Sequence, residues 1–222
     1  MRHLIKLAAI AAAIALPLAS TAQTPMQYGS PRYPVIDPAT FTPEQKRFAE
    51  EMMKPPRNGN ANNPGPFRVY FRSPEFGLNA IEMSDYLRWG TGLEDRLTEL
   101  AIIIAARNWN SAYIWRAHYP AAVKGGLDPS VGADIAAGRR PTKMKADEAL
   151  IYDFLTQMYR DKDISDATFN AMKAKFGEKG VTNIMGLAGY YGITAMALIT
   201  AKQPVPPGDE PKLAKLAQVF PR

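Results

Sequence analysis

Between residues 181 and 201 the chain carries no charged side chain across 21 positions, and this stretch narrows the architectures open to it. A helix that is apolar all round is stable in two environments, a bilayer or the interior of a protein core. Asn183, three Thr and two Tyr interrupt the stretch, and Gly186, Gly189 and Gly192 recur at every third residue. That spacing gives one side on which another helix backbone can approach closely. The stretch is therefore expected to be a core or interface helix, with no stable membrane span left after processing.

Processing is expected at the other end. Arg2 and Lys6 precede an uncharged run from Leu7 to Leu18, and Ala19-Ser20-Thr21-Ala22 offers small residues where a signal peptidase reads. Residues 1–22 are expected to be a removable signal peptide, and the mature chain periplasmic or secreted. Losing Arg2 and Lys6 lowers the formal charge from +6 to +4. The remaining basic residues are interspersed with acidic ones, which argues against a nucleic-acid partner. Exported domains often rely on disulfides, but there is no cysteine. Stability has to come from packing and self-association.

Local signals predict helices almost throughout. Thr42-Pro43-Glu44-Gln45 is a capping box with Pro at the first helical position, opening a helix that ends near Lys54. Residues 55–66 hold four prolines, two glycines and four asparagines, a loop composition. Ser73-Pro74 opens a second helix with Phe76, Ala80, Met83 and Leu87 at helical spacing, stopped by Gly90 or Gly92. Further helices are expected over 94–107, with Leu97, Leu100, Ala101, Ile104 and Ala105 on the inner stripe, from Ser111 to about 126, after Asp128-Pro129, and over 145–159, 165–176 and 181–201. A short one is expected near 212–219. Strand-like alternation is hard to find, so the fold class is all-α.

Composition also closes off chemistry. Once the leader is gone, His118 is the one histidine left, so a three-histidine zinc site within one chain is ruled out, as is every cysteine-based metal or redox motif. Residues 161–172 begin like a calcium loop but have Asp166 where the turn requires Gly and Met172 where a bidentate Glu belongs. On a helix, Ser111, Trp115, His118 and Ala122 share one face, which sets an imidazole beside an indole.

Arg96-Leu97-Thr98-Glu99-Leu100-Ala101-Ile102, then Ala106-Arg107 and Ser111-x-Tyr113-x-Trp115-x-x-His118, together resemble the carboxymuconolactone decarboxylase family, whose superfamily contains the AhpD-type alkylhydroperoxidases. Gly126-Leu127, Ala146-Asp147-Glu148, Ser165-Asp166-Ala167-Thr168-Phe169, Phe176-Gly177-Glu178 and Gly189-Tyr190-Tyr191 extend the match over about 67–208. The resemblance implies an AhpD-like helical bundle in a single domain, built as a homo-oligomer, a trimer or hexamer if not a dimer. The chain then divides into the leader 1–22, an arm with one helix and the Pro/Asn-rich loop at 23–66, the helical domain at 67–208 and a tail at 209–222.

In the peroxidase branch a Cys-x-x-Cys pair stands where this chain has Ser111 and Ile114. Peroxide reduction needs a thiolate, so thiol peroxidase activity is excluded. In the decarboxylase-like branch the position of Ile114 usually holds Glu, and that of Asn183 an acid; this chain departs at both. The resemblance implies a cofactor-independent lyase, decarboxylase-like or isomerase, acting on a small aromatic-derived or lactone-type carboxylic acid, with no metal. His118 is the expected proton-transfer residue, since imidazole is the side chain suited to that task near neutral pH. Tyr113, Trp115 and Ser111 are expected to line the substrate site, and Arg88 or Arg107 to bind the carboxylate, with Arg96 also considered. The alternative is a non-catalytic family member, a small-molecule binder or assembly protein.

Overall fold

The computed structural model describes residues 32–57, 59, 65–216 and 219. The expected leader lies outside them. Eight α-helices and no strand occur among the described residues: α1 Pro43–Met53, α2 Phe67–Tyr70, α3 Pro74–Asp85, α4 Asp95–Asn108, α5 Ala112–Lys124, α6 Pro129–Ala136, α7 Ala146–Asp161 and α8 Asp166–Ala201.

Short-range signals set most helix starts. The Thr42 hydroxyl accepts from the Gln45 amide at 3.3 Å while the Gln45 side chain accepts from the Thr42 amide at 3.1 Å, so two helix-end donors of α1 are satisfied reciprocally. Ser111, Asp128 and Ser165 cap α5, α6 and α8 from one side only, each side chain accepting from a first-turn backbone amide. α3 runs into one wider, π-type turn, Tyr86–Gly90, so the helical stretch ends at Gly90, one of the two glycines expected to stop it. The fold also contains the single-turn α2, which the composition of the preceding loop conceals. The tail over 212–216 is not helical; it is tied down instead, the Ala214 amide donating to the Ala136 carbonyl at 2.9 Å.

α4 is the hub of the bundle, packed against α5, α7 and α8. It buries far more than the expected stripe: every residue from Arg96 to Arg107 is buried, because neighbours cover it on three sides. α8 packs on α4 and α7, and its last two-thirds supply Ile184, Leu187, Tyr191, Ala195 and Leu198 to the core. This helix is long and apolar enough to cross a membrane by length and composition, but 61% of its apolar window is buried in protein. It breaks at Gly177, where φ 68° and ψ 172° form a backbone conformation essentially restricted to glycine. The two helices expected over 165–176 and 181–201 are therefore two limbs joined by that one residue.

Outside this hub, α1 lies on α3. Phe48 meets Phe71 edge-on at 4.8 Å and fits against Gly77, where an added Cβ would approach the ring to 2.8 Å. Arg57, shortly after α1, lies next to the π-type turn, against the Trp89 ring.

Candidate functional site

A cavity of about 420 Å³ opens where the loop after α1, α2, the end of α3 with its π-type turn, α5 and α8 converge. That volume lies within the range of small-molecule sites. The π-type turn sends Arg88 and Trp89 to the cavity while Leu87 packs inward beside Gly186, where an added Cβ would find it at 3.3 Å. Wider turns of this kind often occur at functional sites because they re-aim side chains. α5 presents Ile114, Ala117 and His118, and α8 presents Tyr190, Tyr191 and Thr194.

Behind the cavity wall stands Glu99, buried on α4. One carboxylate oxygen accepts from the Arg88 guanidinium at 3.0 Å and the other lies 2.7 Å from His118 Nδ1. Burial pushes the Glu99 carboxyl up, but the contact with His118 and the charge of Arg88 outweigh it and hold the group below the usual carboxylate value. An ionised Glu99 fixes the imidazole tautomer: Nδ1 carries the proton donated to it, and Nε2 faces the hydroxyl of Tyr191 at 3.2 Å. Burial pushes the Tyr191 phenol up, so it keeps its proton at neutral pH.

Two guanidinium groups border the space. Arg88 lies over the Trp89 ring at 4.3 Å, and Arg57 lies between Phe67 and Trp89 at 5.4 and 5.7 Å while also pairing with Asp85. The Nε of each is buried without a hydrogen-bond partner among the described residues. A buried donor left unpaired costs free energy.

The expected site residues divide accordingly. His118, Tyr113 and Arg88 meet at the cavity. Trp115 does not: it is 1% exposed and stacks on Tyr119 at 5.5 Å, on the core side of α5. The helical face shared by Ser111, Trp115 and Ala122 is turned into the bundle, and the cavity face is the one through Ile114 and Ala117. Ser111 caps α5, accepting from the Ile114 amide. Arg107 is fully buried and donates to the Ala214 carbonyl at 2.9 Å and the Ala136 carbonyl at 3.4 Å, clamping the tail to α6. Arg96 binds Asp147, Glu148 and Glu94. Asn183 faces Tyr86 at 3.4 Å and borders a different groove.

Trp89, Phe67, Tyr190 and Tyr191 form the aromatic wall that Trp115 was expected to supply. Glu99, Tyr191 and Arg57 were not expected at the site. Glu99 had a legible signal, being the one acid in the otherwise uncharged run 97–106; a buried charge there requires a partner. Arg57 had none, since it follows a Pro-Pro pair in a loop.

The depressed Glu99 value carries a stability consequence. A carboxyl held below its unfolded value stabilises the fold above the ordinary carboxylate range near pH 4, and this contribution is lost as pH falls through the folded value. Glu99→Gln lacks it at every pH. The difference in thermal midpoint between wild type and Glu99→Gln is therefore expected to be largest near pH 7 and to shrink below about pH 4, as followed by circular dichroism. A pH-independent difference would show that Glu99 is not ionised in the fold.

No family model and no curated protein matches the sequence. Among solved structures, the chain is similar to an uncharacterized peroxidase-related protein from Silicibacter sp. TM1040, with a TM-score of 0.64 over 82% of this chain and 93% of that one, at 18% identity. The likeness is one of fold, an all-α bundle of the AhpD-like kind.

Proposed function

We propose that this AhpD-like bundle is a cofactor-independent lyase of the decarboxylase type, acting on a small unsaturated or lactone-type carboxylic acid. One observation carries the reading: an imidazole held by a buried carboxylate shares a cavity with the cationic side chains of Arg57 and Arg88. Peroxide reduction through a thiolate is not open to a chain without cysteine.

Loss of carbon dioxide from a β,γ-unsaturated acid breaks one C–C bond and moves its electron pair into the conjugated system. A proton must then reach carbon. Gripping the departing carboxylate with cations would stabilise the ground state and slow the step, whereas a cation at the oxygen that gains charge speeds it. The cavity suits that division of labour. Its apolar part, Pro66, Phe67, Ile114 and Ala117, provides a dry wall for the departing group, and Arg57 and Arg88 face a second carboxylate or a lactone carbonyl.

Binding and turnover test the reading together. The full chain is expected to bind benzoate, a non-reacting carboxylate, by calorimetry, and Arg57→Met to weaken that binding about 10- to 100-fold, the worth of one charged hydrogen bond. It is also expected to release carbon dioxide from 4-carboxymuconolactone or a related unsaturated acid. Binding without turnover of any such acid would favour the second reading, a small-molecule binder, which the apolar Ile114 in the cavity wall supports.

The proposal includes a periplasmic or secreted location, from residues 1–22, and assembly as a homo-oligomer. Met185, Met196 and Ile199, exposed on α8, support self-association; native mass measurement of the chain tests it.

A further inference from the structure

A guest in the cavity does not meet a free imidazole nitrogen. His118 Nδ1 is engaged by Glu99 at 2.7 Å and Nε2 by the Tyr191 hydroxyl at 3.2 Å. The Tyr191 and His118 rings stand edge to face at 4.9 Å, and both line the cavity. We infer that Tyr191 is the residue that hands the proton to substrate carbon, with the Glu99–His118 pair behind it as the reservoir. The inference rests on the lyase reading above and adds a catalytic residue to it.

The transfer balances without any further reactant. In the acid-loaded state the imidazole carries protons on both nitrogens: Nδ1–H donates to Glu99, Nε2–H donates to the Tyr191 oxygen, and the phenolic hydrogen points to the guest. As carbon dioxide leaves, the electron pair of the broken C–C bond takes the phenolic proton at carbon. The Nε2 proton moves to the phenolic oxygen, and the N–H electrons stay on nitrogen. The products are carbon dioxide, the protonated carbon acid, an intact phenol and a neutral imidazole still bound to Glu99. A water proton reloads Nε2.

The surroundings suit this role. Burial keeps the phenol protonated between turnovers, as an acid must be, and the positive charge of Arg88 acts in the opposite sense, easing the moment at which the oxygen gives up its proton. Tyr113 also borders the cavity, but its hydroxyl is packed on the loop, 2.7 Å from where a Cβ on Gly65 would stand. It has no contact with the imidazole that would let it share a proton.

Tyr191→Phe keeps the ring and its packing and removes only the oxygen. In the full chain, assayed on the acid that wild type turns over, kcat is expected to fall about a hundredfold, the scale of one acid–base group, with KM changed little and helicity intact. Measured across mixtures of light and heavy water, the wild-type rate is expected to bow, as two moving protons require, and the variant rate to become linear. An active wild type beside a Tyr191→Phe variant that keeps both its kcat within about twofold and the bowed profile would overturn the inference alone, leaving Tyr191 as a cap on Nε2. A wild type that turns over no unsaturated acid would remove the lyase reading and this inference with it.

Discussion

His118→Gln is expected to lower kcat/KM for the decarboxylated acid by about 10²- to 10⁴-fold, equivalent to about 3 to 5 kcal/mol of transition-state stabilisation. Gln is the informative replacement because its amide can still donate to Glu99, so the carboxylate is not abandoned in the core. The fold therefore stays intact, and a lost rate reports chemistry. The substitution removes the imidazole that lines the cavity and joins Glu99 to Tyr191. Because the proton passes through Tyr191, the loss is expected chiefly in kcat, with KM set by the guanidinium groups and the aromatic wall. Single-turnover measurements beside far-UV circular dichroism check both halves of this expectation. Unchanged turnover would remove His118 from the reaction.

Arg96→Met is expected to have the largest effect on stability. The Arg96 side chain is 7% exposed, donating to Glu148 at 2.6 Å, to Asp147 at 2.8 and 3.2 Å and to Glu94 at 3.1 Å. Glu148 is itself 1% exposed and retains only the Lys145 amide when the guanidinium is gone. Removing one partner of a buried ion pair leaves the other charge unpaired, at a cost of about 3 to 5 kcal/mol. In a chain of this size that corresponds to a fall of roughly 6 to 20 °C in thermal midpoint.

The pH dependence of this loss has a definite sign. The Arg96 hydrogen bond outweighs burial and holds Asp147 below the usual carboxylate value, so the contribution of Asp147 is complete above about pH 4 and is lost as pH falls through the folded value. The gap between wild type and Arg96→Met should thus narrow on acidification. Denaturant midpoints at pH 7 and at about pH 2 measure it, and a gap that widens in acid would contradict the ion-pair account.

The elements that were legible in the sequence were those fixed within four residues. The Thr42 and Gln45 box, the Ser111 cap and the Asp128-Pro129 start involve hydrogen bonds to neighbours in the chain, and local propensity decides them. Gly177 was legible only as the gap between two helical patterns; its left-handed backbone explains why one continuous helix bends there.

The site was legible in part. The spacing on α5 places Ser111, Trp115, His118 and Ala122 on a common side, but periodicity does not say which side of a helix buried on two flanks faces a cavity. Trp115 went to the core, where its stacking partner Tyr119 lies four residues further along the same helix. Arg107, a guanidinium next to the motif, donates to main-chain carbonyls 29 and 107 residues away and to the Asn110 side chain, not to a guest. Glu99 and Tyr191 reach His118 across 19 and 73 residues, contacts set by how α4 and α8 pack. No local pattern encodes them.

The account as a whole depends on a carboxylate guest entering the cavity that His118 and Tyr191 line, where its binding is felt at Nε2 through the Tyr191 hydroxyl. Nitrogen-15 spectra of histidine-labelled full chain, titrated with benzoate, read this directly, with His118→Gln assigning the signal among the two histidines of the chain. Saturable movement of the His118 Nε2 resonance, with Nδ1 remaining the protonated nitrogen, is the predicted result. Saturating benzoate that leaves both His118 nitrogens unmoved would contradict it.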